Sequence, residues 1–131
     1  MRYSAIVIVA VVSLAACGGG SDEDKAKETV SQFFTALDKN DTDKLCNDLL
    51  TKEFIAQTTG ATGDRAGEQC PRAFSQLRAS DVKLGKVRKV SVDGDEATVR
   101  AAIVRQGQSL PQVFRLKKED GDWRLAGSGT G

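Results

Sequence analysis

The segment VFRLKKEDGDWRL, residues 113–125, decides the fold of this chain. Apolar and charged side chains alternate from 114 to 117, which is the period of a strand with one buried and one solvated face. The acidic, glycine-containing stretch 119–122 predicts a tight turn, and Trp123 opens a return strand. The segment therefore predicts an antiparallel hairpin that closes a sheet.

The sequence before this hairpin repeats the same period. Gly85 interrupts the alternation of the first long apolar run, which suggests a bulge or bend there. Pro111 indicates an edge or an irregular strand end, because it cannot donate a ladder hydrogen bond. The predicted strands are residues 82–92, 97–103, 110–118 and a short one over 123–125, with turns at 93–95 and 106–109.

Upstream of residue 80 the apolar spacing is helical. In the first such segment apolar residues recur every three or four positions, with Asp22 or Asp24 as the cap. The last helix is expected to start as late as Cys70, because Pro71 fits best in a first turn. The predicted helices are residues 25–39, 41–50, 52–57 and 65–77. Helices followed by a strand meander predict an α+β domain, with N-terminal helices packed on a curled antiparallel sheet of about four strands.

The N-terminus has the layout of an export signal. Arg2 supplies a positive charge, residues 5–14 are almost wholly apolar, and two alanines precede Cys17. The apolar run is shorter than the roughly 20 residues that a membrane span needs. The sequence Leu14-Ala15-Ala16-Cys17 resembles a bacterial lipobox, which implies cleavage after residue 16 and a lipid on Cys17. The alternatives are an ordinary cleaved signal or an uncleaved anchor.

The composition limits the function. The full chain holds 19 Lys and Arg against 18 Asp and Glu, so it lacks the basic excess that is usual in nucleic-acid binders. It has no histidine, and its one tyrosine, Tyr3, lies in the predicted signal. Since His and Tyr carry much of the proton transfer in enzymes, we expect a protein that is not an enzyme and has no cofactor.

The cysteines are predicted to be structural. If Cys17 carries the lipid, Cys46 and Cys70 are the two thiols left, and an exported chain favours a disulfide between them. A zinc site would need four ligands, and a catalytic cysteine would need a base. The sequence therefore predicts a Cys46–Cys70 disulfide, with no metal ligands and no catalytic residues.

The domain is similar to the nuclear transport factor 2-like (cystatin-like) superfamily. The likeness rests on residues 30–37 (VSQFFTAL), on Asn40-Asp41 and on the closing segment 113–125. It implies a cone-shaped roll in which helices and sheet enclose an interior, and that interior serves enzymes, binders and scaffolds alike. The resemblance implies an organisation into a signal peptide (1–16), a lipidated flexible tether (17–23), the domain (24–126) and a disordered tail (127–131).

Three functions remain open on this evidence. The first is a non-catalytic lipoprotein on the outer face of the bacterial cell membrane, or its periplasmic side, that binds a small apolar ligand or an envelope protein. The second is a structural or interaction lipoprotein with a filled cavity. The third is an isomerase-type enzyme that uses a buried carboxylate. The predicted pocket lining is apolar: Phe33, Phe34, Leu37, Phe54, Phe74, Val99, Ile103, Phe114 and Trp123.

One charge pattern has two interpretations. Seven basic residues fall in the strand half, and they could meet anionic lipid or wall polymer. The sequence favours a solvated outer sheet face, because exposed strand positions are ordinarily charged. The residues are Lys83, Lys86, Arg88, Lys89, Arg100, Arg115 and Lys117.

Overall fold

The computed structural model describes residues 21–76 and 82–130. Within them the chain forms four helices followed by a four-stranded sheet. The helices are α1 (Asp22–Asp38), α2 (Thr42–Lys44), which continues as a π-helical segment (Leu45–Leu49), α3 (Lys52–Thr59) and α4 (Asp64–Ser75). The strands are β1 (Val82–Asp93), β2 (Glu96–Arg105), β3 (Gln108–Glu119) and β4 (Asp122–Thr130).

The sheet is an antiparallel meander in the order β1-β2-β3-β4, joined by two-residue turns. Gln106 and Gly107 have φ angles of 51° and 77°, and Asp120 and Gly121 have 52° and 83°. Two successive positive φ angles are typical of type I′ turns, whose twist matches that of the paired strands. The predicted α+β class and strand order are confirmed.

Irregular pairing curls the sheet. The β1–β2 register shifts between Leu84 and Val87 and again between Val87 and Lys89, which confirms the bulge expected near Gly85. At Gly85 a Cβ atom would lie 3.0 Å from the carbonyl oxygen of Ala102, so a larger residue would not fit without movement. Bulges increase local twist, and the sheet therefore wraps around the helices.

The core lies between α1 and the concave face of the sheet, and the helices α2–α4 close it at one side. The inward positions of β2, β3 and β4 are buried, as the alternation predicts. The most deeply buried large side chains of the described residues include Leu45, Leu50, Val99, Leu116 and Leu125.

The segment before α3 covers one edge of the sheet. Leu50 forms a parallel bridge with Leu125, and the Thr51 N–H donates to the Leu125 carbonyl oxygen at 3.0 Å. Covering an edge in this way satisfies backbone groups that would otherwise be free to pair with another chain.

Both ends of the domain extend further than predicted. Helix α1 begins at Asp22, inside the predicted tether (17–23), and its cap is Ser21, whose Oγ accepts from the Asp24 N–H at 3.2 Å. Strand β4 runs to Thr130, where a disordered tail over 127–131 was expected. The tail prediction is wrong because pairing with β3 supplies ladder hydrogen bonds that composition does not reveal. The signal segment and Cys17 lie outside the described residues.

Helix α4 starts at Asp64, one residue before the predicted span 65–77. The later start near Cys70 is wrong, because Pro71 lies inside the helix. A proline removes the hydrogen bond to the carbonyl four residues earlier, which here belongs to Gly67. Gly67 is exposed, so water can satisfy that carbonyl. Leu77, the predicted last residue of the helix, lies outside the described residues.

Candidate functional site

The nine residues predicted to line a pocket do come together, but they pack against one another. Phe74, Val99, Phe114 and Trp123 are buried, and the other five are half-buried against them. The Phe34 ring lies edge-on to Phe114 with 5.7 Å between ring centroids, and edge-on to Phe33 at 5.5 Å. Such contacts join α1 to the sheet across the middle of the cone. Of the predicted set, Trp123 alone borders one of the clefts described below.

The polar groups inside the described part of the domain have structural partners. Its buried polar residues are Thr29 and Thr51, and no carboxylate is among them. Thr29 donates to the Lys25 carbonyl at 3.0 Å, and Thr51 caps α3 by accepting from the Phe54 N–H at 3.0 Å. These bonds account for both hydroxyl groups without a ligand or a reaction.

Asp22 is the carboxyl group of the described residues whose pKa departs clearly from its usual value, and it lies at the surface. A hydrogen bond from Lys118 lowers the pKa, with a smaller contribution from the Trp123 indole. The Lys118 Nζ is 3.3 Å from Asp22 Oδ1, and the indole Nε1 is 3.4 Å from the same oxygen. The carboxylate therefore ties α1 to the sheet, and it is held ionised, unlike an acid poised to donate a proton.

The predicted disulfide between Cys46 and Cys70 is confirmed, with 6.0 Å between the Cα atoms. It links the π-helical segment to α4 across a sequence separation of 24 residues. Cys70 is completely buried, whereas Cys46 is half-buried and borders a surface cleft. The bond thus holds two walls of that cleft together.

This cleft, which we call the disulfide cleft, has a volume of about 650 Å³. That volume falls within the range of small-molecule sites. Its apolar part is formed by Leu50, Ile55 and Ala66. Its charged groups are Lys52, Asp64, Glu68, Glu119, Asp120 and Arg124. Four acids against two bases disfavour an anionic ligand and favour a neutral or cationic one.

Arg124 and Glu119 form a polar contact at the wall of the cleft. The guanidinium donates to the Asn47 carbonyl oxygen at 2.5 Å, and its Nε lies 3.8 Å from Glu119 Oε2. Glu119 in turn accepts from the Lys52 N–H at 3.2 Å. The Arg124 Nε is the buried side-chain donor of the described residues that has no hydrogen-bond partner. Unsatisfied buried donors are uncommon, and they often mark a functional position.

The α4 side of the cleft carries glycines. Gly63, with φ of 61°, caps α4 without a side-chain hydrogen bond. Gly67 lies within the helix and also borders the cleft, and a Cβ atom built there would meet nothing within 4 Å. A small residue at this position keeps the mouth of the cleft open.

Three smaller clefts lie elsewhere on the surface of the described residues. One of about 400 Å³ lies between α1 and the start of β4, one of about 380 Å³ lies between the end of α3 and α4, and one of about 300 Å³ lies beside α3. Within residues 21–76 and 82–130, no cluster of three metal-ligating side chains occurs. No helix of that part is long and apolar enough to cross a membrane.

The sequence did not predict the disulfide cleft, although it did predict the disulfide that borders it. Its wall combines the π-helical segment, the start of α4 and the β3–β4 turn, which are far apart along the chain. None of these stretches contains a recognised motif. The predicted disulfide was the one available signal, because it brings the first two together.

Comparison with solved structures identifies the fold. A designed NTF2-fold protein, NT-9, superposes with a TM-score of 0.55 at 14% identity, covering 82% of this chain and 85% of the other. An NTF2-like protein from Cytophaga hutchinsonii gives 0.53 at 18%, covering 83% and 96%. A polyketide cyclase candidate from Sinorhizobium meliloti gives 0.50 at 25%, covering 76% and 92%. No family model and no curated protein matches the sequence.

The chain therefore has the nuclear transport factor 2-like fold, as the sequence pattern implied. Solved structures with this fold include proteins linked to catalysis as well as proteins of unknown function. The fold alone does not select between these classes.

Proposed function

We propose that this protein is a non-catalytic binding domain, anchored by a lipid on Cys17 to the outer face of the bacterial cell membrane or its periplasmic side. Its binding site is the disulfide cleft. The ligand is a neutral or cationic molecule, or a segment of an envelope protein, that carries an apolar group. The observation that supports this most directly is the contrast between a packed cone interior and an open cleft of about 650 Å³.

The packed interior argues against the apolar pocket that the fold would otherwise provide. The Phe33–Phe34–Phe114 ring contacts occupy the space between α1 and the sheet. Binding an apolar molecule there would require those rings to separate, which costs the dispersion contacts that they make. Binding in a cleft that is already open at the surface does not require these ring contacts to be broken.

The chemistry of the cleft defines the ligand class. Leu50, Ile55 and Ala66 form the apolar floor of the cleft. Because these side chains are already buried, an apolar group gains mainly by removing its own surface from water against them, at roughly 25 cal/mol per Å². The excess of carboxylates at the rim favours a cation at the end of that group. The Glu119–Arg124 pair supplies polar contacts that orient a ligand.

A non-catalytic role is proposed because the described interior offers no general acid or base. Its buried polar groups are two threonine hydroxyls that already have partners. An isomerase that relies on a carboxylate needs that group buried, with a raised pKa. Among the described residues, the carboxyl with a resolved shift, Asp22, has a lowered pKa.

Ligand binding can be tested by NMR titration with two probes of equal chain length, an alkylamine and a fatty acid. We expect saturable shifts in the Leu50, Ile55 and Ala66 amides with the amine and weaker ones with the acid. Gly67→Phe should abolish these shifts, because a Cβ atom at this position meets nothing within 4 Å and the ring beyond it would occupy the mouth of the cleft. Arg65→Phe, at an exposed position on the same helix, is the matched control and should bind normally.

Other outcomes identify the alternatives. Absence of saturable shifts with either probe would leave a purely structural or interaction lipoprotein. Shifts confined to Phe34 and Phe114 would restore the apolar pocket inside the cone. The anchor is tested separately by acyl labelling in cells, which we expect Cys17→Ala to eliminate. Unchanged labelling in that variant would contradict the anchor but not the binding site.

A further inference from the structure

The convex face of the sheet, opposite α1, is strongly basic, and α3 borders it beside Arg115 and Lys117. Register places five exposed cations on it, and together they form what we call the basic face. They come from the central strands as well as from β1. The basic face consists of Lys83, Lys89, Arg100, Arg115 and Lys117.

The arrangement of these cations differs from an ordinary solvated surface. Lys89 lies directly opposite Arg100 in the β1–β2 register, and like charges in that position repel. Of the five, Lys117 alone faces a carboxylate across the strands, that of Glu96. The two ion pairs found in the described part of the chain involve none of the five.

Protection of an open edge explains only part of the pattern. β1 is an edge strand of the sheet, and lysines on such a strand prevent pairing with another chain. Arg100 and Arg115, however, lie on β2 and β3 in the interior of the sheet. The Arg115 guanidinium lies across Gly127 of β4, where an added Cβ atom would approach it to 2.8 Å. Edge protection therefore does not explain why Arg100 and Arg115 are exposed on this face.

The charges of the two layers are opposite. Residues 21–76, which form the helices, contain 7 basic and 11 acidic side chains, a net charge of −4. Residues 82–130, which form the sheet, contain 10 basic and 6 acidic side chains, a net charge of +4. The molecule is therefore polarised across its layers, and the sheet is the side that an anionic surface attracts.

The position at which the tether joins the domain also limits how the domain can lie on the membrane. Helix α1 begins beside Lys118 and Trp123, at the end of the sheet that carries the β1–β2 and β3–β4 turns. This end, the turn end, is rich in carboxylates. They are Asp22, Glu23, Asp24, Asp93, Asp95, Glu96, Glu119, Asp120 and Asp122.

A domain standing upright on its anchor would press this acidic end against the membrane. Asp22 lies five positions after Cys17, a reach of at most about 18 Å. A helix is about 10–12 Å across, so the anchor can reach the plane of the outer sheet face. Lying on the basic face replaces repulsion at the turn end by attraction over the sheet, within the Debye length of about 8–10 Å.

We propose that the basic face docks onto the anionic lipid headgroups of the membrane that carries the anchor, so that the domain lies flat with α1 outward. The orientation rests on the proposed anchor on Cys17. The affinity of the basic face for anionic lipid does not, and it can be measured without the lipid modification.

The test uses residues 17–131 with Cys17→Ser, because every described helix and strand begins at or after residue 22 and is retained. Binding to phosphatidylglycerol vesicles and to phosphatidylcholine vesicles is measured by co-sedimentation. The face variant is Arg100→Gln with Arg115→Gln. The control is Lys27→Gln with Arg65→Gln, two exposed helical-layer positions that give the same change in net charge.

We expect the parent chain to bind the anionic vesicles and not the neutral ones. The face variant should bind at least about tenfold more weakly, since each cation near an anionic surface contributes roughly fivefold. The control should bind like the parent. Urea midpoints verify folding, and loss of the Lys89–Arg100 repulsion should leave the face variant no less stable.

Three results would overturn the proposal. The first is absence of parent binding to anionic vesicles. The second is equal weakening of the face variant and the control, which would indicate a net-charge effect. The third is binding to soluble polyphosphate but not to vesicles, which would assign the face to a polymer. Because this chain carries no lipid, a failure here is distinct from a failure of the Cys17 labelling test.

Discussion

The disulfide should contribute a large share of the stability of this small domain. Cys46 and Cys70 are 24 residues apart, so their bond closes a loop of 25 residues. Loop closure in the unfolded chain then corresponds to about 3.5 kcal/mol. We expect Cys46→Ala with Cys70→Ala to lower the free energy of unfolding by about that amount, and the Tm by about 10–15 °C.

Urea unfolding followed by the fluorescence of Trp123 measures this change. The indole is 5% exposed in the folded chain and is the single tryptophan, so its emission reports the loss of the core. The experiment is run on residues 17–131 with Cys17→Ser, so that no third thiol can exchange with the pair. With the m-value typical of this size, the midpoint should fall by about 2 M urea.

The matched control is the parent chain with its disulfide reduced. It should unfold at nearly the same midpoint as the double alanine variant, because both lack the covalent constraint. Equal midpoints for the oxidised parent and the variant, at unchanged m-value, would refute the reasoning. Such a result would mean that packing of α4 against the π-helical segment already restricts this loop.

Two further predictions concern the packing and the surface. Phe34→Ala should cost about 2 kcal/mol, less than a fully buried phenylalanine, because the ring is half-buried against Phe33 and Phe114; an unchanged urea midpoint would contradict a filled cone. The lowered pKa of Asp22 means that its contribution to stability is present above the unfolded value near 3.8 and is lost as the pH falls through the lower folded value. Asp22→Asn should therefore flatten the acid limb of the stability–pH curve, and parallel curves for parent and variant would exclude this role.

Local sequence determined most of the fold. Alternation in residues 114–117 and the acidic turn after it specified the last hairpin, because a period of two places the apolar side chains on one face of a strand. Thr51 directly precedes α3 and caps it, as the preference of threonine for that position favours. The pairing of Cys46 with Cys70 could be inferred because they are the two cysteines left once Cys17 is assigned to the lipid.

Tertiary contacts decided the features that the pattern did not indicate. Residues 127–130 look like a loop by composition, yet they form the end of β4 because β3 offers partners there. The predicted lining residues share one side of their elements, but whether they enclose space or fill it depends on how far the bulged sheet curls toward α1. The disulfide cleft and the basic face each combine segments distant in sequence, so only the folded chain brings their charges together.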